Sequence, residues 1–155
     1  MTRIIQCPET LQHKNKSDSY VFLAGGITGC PDWQTEIISM LKDSKNPGLI
    51  LINPRRKDFD VNDPNASDFQ ITWEFNHLKQ SDIVSFWFPE ETLCPITLYE
   101  LGVCAALKRN IIVGCHPNYK RIFDVTKQLE LLRPEVIIYD SLEMMADTID
   151  FWAHF

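Results

Sequence analysis

The sequence predicts an α/β fold, a single domain built on a doubly wound, five-stranded parallel sheet in the order 2-1-3-4-5. Three observations lead there. Five short apolar runs rich in Val, Ile and Phe recur at 20–24, 49–53, 82–88, 110–115 and 135–139. Amphipathic stretches separate them, near 32–43, 67–80, 95–108, 119–132 and 141–153. The runs are continuous rather than alternating, as expected of strands covered on both faces.

Each segment has its own reason. Residues 1–19 are polar after a short start and show no period, so they read as an N-terminal extension outside the core, with the domain spanning 20–155. The first run, YVFLA, ends in a glycine-rich turn holding Gly25, Gly26 and Gly29. Asp32 is placed to cap the helix that follows. The second run, LILIN, opens into PRRKDFDVNDPNA at 54–66, a connection long enough to be a functional loop. After the third run, DIVSFWF, Pro95 suits the first turn of a helix. Ser141 is a fitting cap for the last one.

Composition narrows the function. Hydrophobic residues are 45% and charged residues 23% of 155, which suits one globular domain with a full core. A net charge of −6 argues against binding a nucleic-acid polymer or an anionic membrane surface. No apolar run reaches the length of a membrane span or a signal peptide, so the expectation is a soluble, cytoplasmic protein. The cysteines at 7, 30, 94, 104 and 115 form no Cys-x-x-Cys pair and read as reduced thiols. The histidines at 13, 77, 116 and 154 lack ligand spacing, and neither GxGxxG nor GK[ST] is present. No metal and no cofactor is expected.

In such a sheet, ligands bind beyond the carboxyl ends of the strands, where strand order reverses. Gly25 and Gly26 sit there, either for close approach to a ligand or for a tight turn. In PITLYELGVCAALK, Glu100 is the only charge between Pro95 and Lys108. It shares a helical face with Ile96, Val103, Cys104 and Leu107, a face expected to turn toward the sheet. A carboxyl so placed is costly unless paired or used, and burial raises its pKa. Glu74, in the first half of the preceding helix, is the second candidate carboxyl. Two such groups, one acidic and one ionised, are the minimal apparatus for cleaving a glycosidic bond. Asp82, at a strand's start, belongs to the opposite edge. Arg55 and Arg56 either clamp a phosphate or carboxylate or pair with Asp58, Asp60 and Asp63. Trp33, Phe59, Trp73, Trp87 and Phe88 either stack on a planar base or fill the core. His116 stands at a strand's carboxyl end.

Taken in order, LAGGI, NPRR, WEFNHLKQSDIVSFWF and PITLYELG resemble the nucleoside 2-deoxyribosyltransferases, in particular their compact branch, over Tyr20 to Cys115. The related 2'-deoxynucleoside 5'-phosphate N-hydrolases share that scaffold. The resemblance implies that Glu100 of the ELG motif is the nucleophile attacking C1' of the sugar. It implies that Glu74, eight residues before Asp82, assists the leaving base, where the family commonly has Asp. Cys94, six residues before the nucleophile, stands where transferases carry a sugar-contacting Asp and hydrolases a Ser. Gly25, Gly26, Asn53, Arg55 and Arg56 are the further substrate-binding positions. A nucleoside or nucleotide and a free nucleobase are the implied ligands, with a homo-oligomer in which a neighbouring subunit closes the site. Three readings stay open: deoxyribosyl transfer, N-glycoside hydrolysis, and a nucleoside- or nucleotide-binding module without turnover.

Overall fold

The computed structural model describes residues 1–153; the last two positions, His154 and Phe155, lie outside the described residues. In chain order the elements are β1 (Arg3–Gln6), β2 (Ser19–Gly25), α1 (Trp33–Met40), β3 (Leu49–Asn53), α2 (Pro64–Gln80), β4 (Ile83–Phe88), α3 (Pro95–Ala106), β5 (Ile111–Cys115), α4 (Ile122–Leu132), β6 (Ile138–Tyr139) and α5 (Leu142–Trp152). The sheet is parallel throughout, in the order β1-β3-β2-β4-β5-β6. The five expected strands keep their expected order.

A sixth strand corrects the prediction of five. Residues 3–6 pair in parallel with Ile50–Asn53, so part of the supposed extension is the sheet's edge. Ile5, Cys7 and Leu11 are buried in the core. Polar contacts hold this segment down as well. Asn53 O accepts from the Cys7 amide (3.1 Å), Glu9 O accepts from Trp73 Nε1 (2.9 Å), and His77 Nε2 accepts from the Leu11 amide (3.0 Å). Four residues flanked by polar ones give too short a pattern for periodicity to register. At the other edge β6 has only two residues, both half-buried, so the run at 135–139 is an edge rather than a doubly covered strand.

Alternation along the strands separates the two faces. Tyr20, Phe22, Ile50, Ile52, Val84, Phe86, Phe88 and Val113 meet α2, α3 and α4. Val21, Leu23, Leu49, Leu51, Trp87 and Ile112 meet α1 and α5. The side chains of Asp32 and Ser141 cap α1 and α5 by accepting from the amides of Thr35 and Met144. Asp63 and Pro64 form the same kind of start for α2. They shorten the long loop predicted at 54–66 by converting its end to helix. Because the chain runs from β2 to β3 on one side and returns to β4 on the other, strand order reverses at the carboxyl ends of β2 and β4. A crevice opens there between α2 and α3.

Candidate active site

The crevice is a groove of about 750 Å³. Its floor is the end of β2, with Phe22, Ala24, Gly25 and Gly26; one wall is α2, with Ile71, Glu74, Phe75 and Leu78; the other is α3, with Ile96, Thr97, Tyr99, Glu100 and Val103. The two glycines are required by packing. A Cβ on Gly25 would stand 2.4 Å from Trp33 Cζ2 and 2.6 Å from Trp87 O. One on Gly26 would stand 2.9 and 3.0 Å from the sulfurs of Cys30 and Cys94. The Gly26 carbonyl turns inward, accepting from Trp33 Nε1 (2.9 Å), Gln34 Nε2 (3.4 Å) and Arg55 Nη2 (3.5 Å).

Helix α3 presents Glu100 differently from the sequence expectation. The side turned to the sheet carries Thr97, Leu101, Cys104 and Ala105. Ile96, Val103 and Leu107 are exposed, lining the open side of the groove. At about 100° per residue these two arcs adjoin, and Glu100 falls on their boundary, half-buried. Loss of water pushes its carboxyl up to about 8, and the nearby charge of Glu74 pushes the same way. Glu74 is raised too, again by burial, while the amide of Gln70 pulls it back down. The groove thus holds two coupled, desolvated carboxyls on facing helices.

Of the other predicted positions, Cys94 joins the groove and three do not line it. Cys94 is buried just ahead of α3 with φ +49°, a left-handed conformation costly for a residue with a Cβ. Burial pushes its thiol up to about 11. Asn53 is buried, and its side-chain oxygen accepts from the Arg55 amide at 3.0 Å. The Arg55 guanidinium is taken up by Gln34 Oε1 (3.0 Å), Pro31 O (3.1 Å) and Asp32 (3.1 Å). Arg56 lies over the rings of Phe59 and Phe69 and 3.7 Å from Asp58. These residues shape the loops around the groove rather than forming its surface. The alternative of core aromatics holds for Trp33, Trp73, Trp87 and Phe88, all buried. Asp82 lies at the opposite edge, where it accepts from the Tyr20 amide (2.9 Å) and pairs with Lys14.

With this geometry in view, the chain can be compared with known proteins. The profile of the family described as "Nucleoside 2-deoxyribosyltransferase like" matches residues 18–119, from the start of β2 to just before α4. The chain belongs to this family. No curated protein matches it significantly. The family's match takes in both groove helices and the glycine turn, and its name accords with a groove built to handle a nucleoside or nucleobase. Among the described residues, no group of three or more His, Cys, Asp or Glu is arranged to hold a metal ion, and no helix is long and apolar enough to cross a membrane.

Two glutamines of this deoxyribosyltransferase-like domain escaped the sequence reading. Gln34 is fully buried and joins Gly26 to Arg55. Gln70 lies four residues before Glu74 and donates to its carboxyl at 2.8 Å. For Gln70 the signal existed, since residues four apart on a helix are neighbours. For Gln34, nothing local distinguishes a buried amide from a solvated one.

Proposed function

We propose that the chain transfers a 2-deoxyribosyl group between nucleobases through a covalent ester on Glu100. One observation carries the reading: two desolvated, coupled carboxyls on facing helices line a single apolar groove. A Glu100 oxygen attacks C1' of the bound deoxynucleoside, and the C1'–N bond breaks. Its electron pair passes to the departing base, and Glu74 supplies the proton that neutralises it. The incoming base then attacks C1' of the ester, Glu100 leaves as carboxylate, and the base's N–H proton returns to Glu74. Two displacements at one carbon retain configuration.

Glu100 holds a proton at rest and must lose it before it can attack. The proposed reaction needs one negative charge and one acidic proton in the pair. Burial first, and the charge of Glu74 second, lift Glu100 to about 8, so around neutrality Glu100 holds a proton in the unliganded groove, and the proposed attack requires that proton to pass to Glu74. Gly25 and Gly26 serve as the floor under the sugar, and Cys94 borders it. Asn53, Arg55 and Arg56 act indirectly, by holding the loops. We further propose a cytoplasmic homo-oligomer in which a second copy covers the exposed Ile96, Tyr99 and Val103 along the open wall.

Hydrolysis is the second reading, and Cys94 favours it. Its thiol, raised to about 11, is neutral at neutral pH. It offers a sugar hydroxyl no charged acceptor, and it does not repel a 5'-phosphate. Incubation with a deoxynucleoside or its 5'-phosphate, with and without a second free base, separates the readings. Base exchange supports transfer, free sugar supports hydrolysis, and binding without either marks a module without turnover. Glu100→Gln should abolish turnover while sparing affinity, because it removes an interaction specific to the transition state. A deoxyribosyl adduct should appear on the Glu100 peptide by mass spectrometry. Full activity in Glu100→Gln, or an adduct elsewhere, refutes the assignment.

A further inference from the structure

Gln70 occupies a position one helical turn before Glu74, and every polar atom of its side chain is used. Nε2 donates to Glu74 Oε1 at 2.8 Å and to the Pro54 carbonyl at 2.9 Å. Oε1 of Gln70 accepts from the Cys7 thiol at 3.3 Å. The Pro54 carbonyl can only accept, so the nitrogen of the amide must face it; the flipped amide would set oxygen against oxygen. Both N–H groups are then committed. The one aimed at Glu74 meets an oxygen that accepts best when it carries no proton, because a hydroxyl oxygen is a weaker acceptor than a carbonyl or carboxylate oxygen.

We infer that Gln70 is a positioning residue that keeps Oε1 of Glu74 an acceptor and confines the acid proton of Glu74 to Oε2. This rests on the reading of Glu74 as the group that protonates the leaving base. Among the described residues Oε2 has no hydrogen-bond partner, and Glu74 lines the groove, so the proton sits on the oxygen left for the ligand. The orientation is set from outside α2. Pro54 directly follows β3, and Cys7 directly follows the edge strand β1, so the N-terminal segment reaches the reacting carboxyl through one amide. The titratable and charged groups around this corner are Glu100 from α3, Cys7 after β1, and Arg56 and Asp58, which act on Cys7. Lys79 of α2 and Arg109 after α3 line the same groove. Among the described residues, only Gln70 donates to the Glu74 carboxyl.

The test uses Gln70→Met, which keeps length and helix preference and removes the amide. Titration of the glutamate carboxyl carbons by NMR should show Glu74 moving upward once its donor is gone. In the unsubstituted protein, the Gln70 side-chain N–H signals should follow the Glu74 titration; this arm needs no variant and no activity. With substrates, kcat should fall about tenfold for bases that need protonation to leave and change little for bases that leave as stable anions, with KM nearly constant. Gln70 N–H signals blind to Glu74, or an unmoved Glu74 in the variant, overturn the inference. So does an equal loss for both classes of base, which marks a structural role alone. If the chain processes no nucleoside, the proposed function fails, while the two titrations still decide the role of Gln70.

Discussion

Replacing Glu100 by Gln should make the protein more stable in alkaline solution and leave it nearly unchanged in acid. An unfolded chain releases this proton near 4.5, whereas the folded chain holds it to about 8. Between those values the folded state binds more protons, so stability falls as pH rises through that window. A rise from 4.5 to about 8, at about 1.4 kcal/mol per tenfold change in the protonation equilibrium, is worth about 5 kcal/mol. Glu100 is only half-buried and shares its proton balance with Glu74, which brings the expected difference to about 2–4 kcal/mol. For a chain of this length that corresponds to roughly 4–16 °C in Tm. Thermal melts of both proteins at pH 5 and pH 9 read the effect, and comparing the two differences cancels any pH-independent cost of the amide. An equal Tm difference at both pH values refutes the reasoning. So does a Glu100→Gln protein that is the less stable of the two in alkali. The outcome requires no substrate.

Three other outcomes can be checked. Gly25→Ala drives a methyl group into Trp33 and the Trp87 carbonyl and should cost about 3 kcal/mol, read from the urea midpoint; an unchanged midpoint contradicts the packing account. His77 is held neutral by burial while it accepts from the Leu11 amide. Acidification below about 6.5 should therefore reduce stability and speed exchange of that amide before the sheet amides, whereas a flat pH response counts against it. Tyr99 is exposed beside the groove, so Tyr99→Glu should shift the proposed oligomer toward monomer in light scattering at micromolar concentration. A native chain already monomeric there removes the proposal.

Much of the fold was legible because long buried strands advertise themselves. LILIN at Leu49–Asn53 is buried at every position, and no helix of its length could be apolar all round without burial. The edge strand β1 was not legible. Arg3–Gln6 has one buried residue in four, so its pairing is decided by β3 and by Trp73 and His77 of α2, far away in sequence. At the site, Glu100 was found because it is the only charge in an apolar stretch. Its side of the helix was misjudged, because two apolar arcs flank it and only one meets the sheet. Arg55 shows the remaining gap. A guanidinium after a strand reads as a ligand clamp, yet Asp32, Gln34 and two carbonyls from another loop consume its donors.

The two borders of the sheet bear on how copies of this chain can meet. A long open border invites another chain to extend the sheet by main-chain pairing. Here the borders are formed by the four residues of β1, with Arg3 exposed, and the two residues of β6. Neither offers a run of free amides and carbonyls long enough to template an incoming strand. In the proposed oligomer, contact between copies would therefore fall to side chains on the helical layers, where shape and apolarity choose the partner face. Joining through helices would leave each sheet intact, so the proposed oligomer could form and separate without any strand being unpaired.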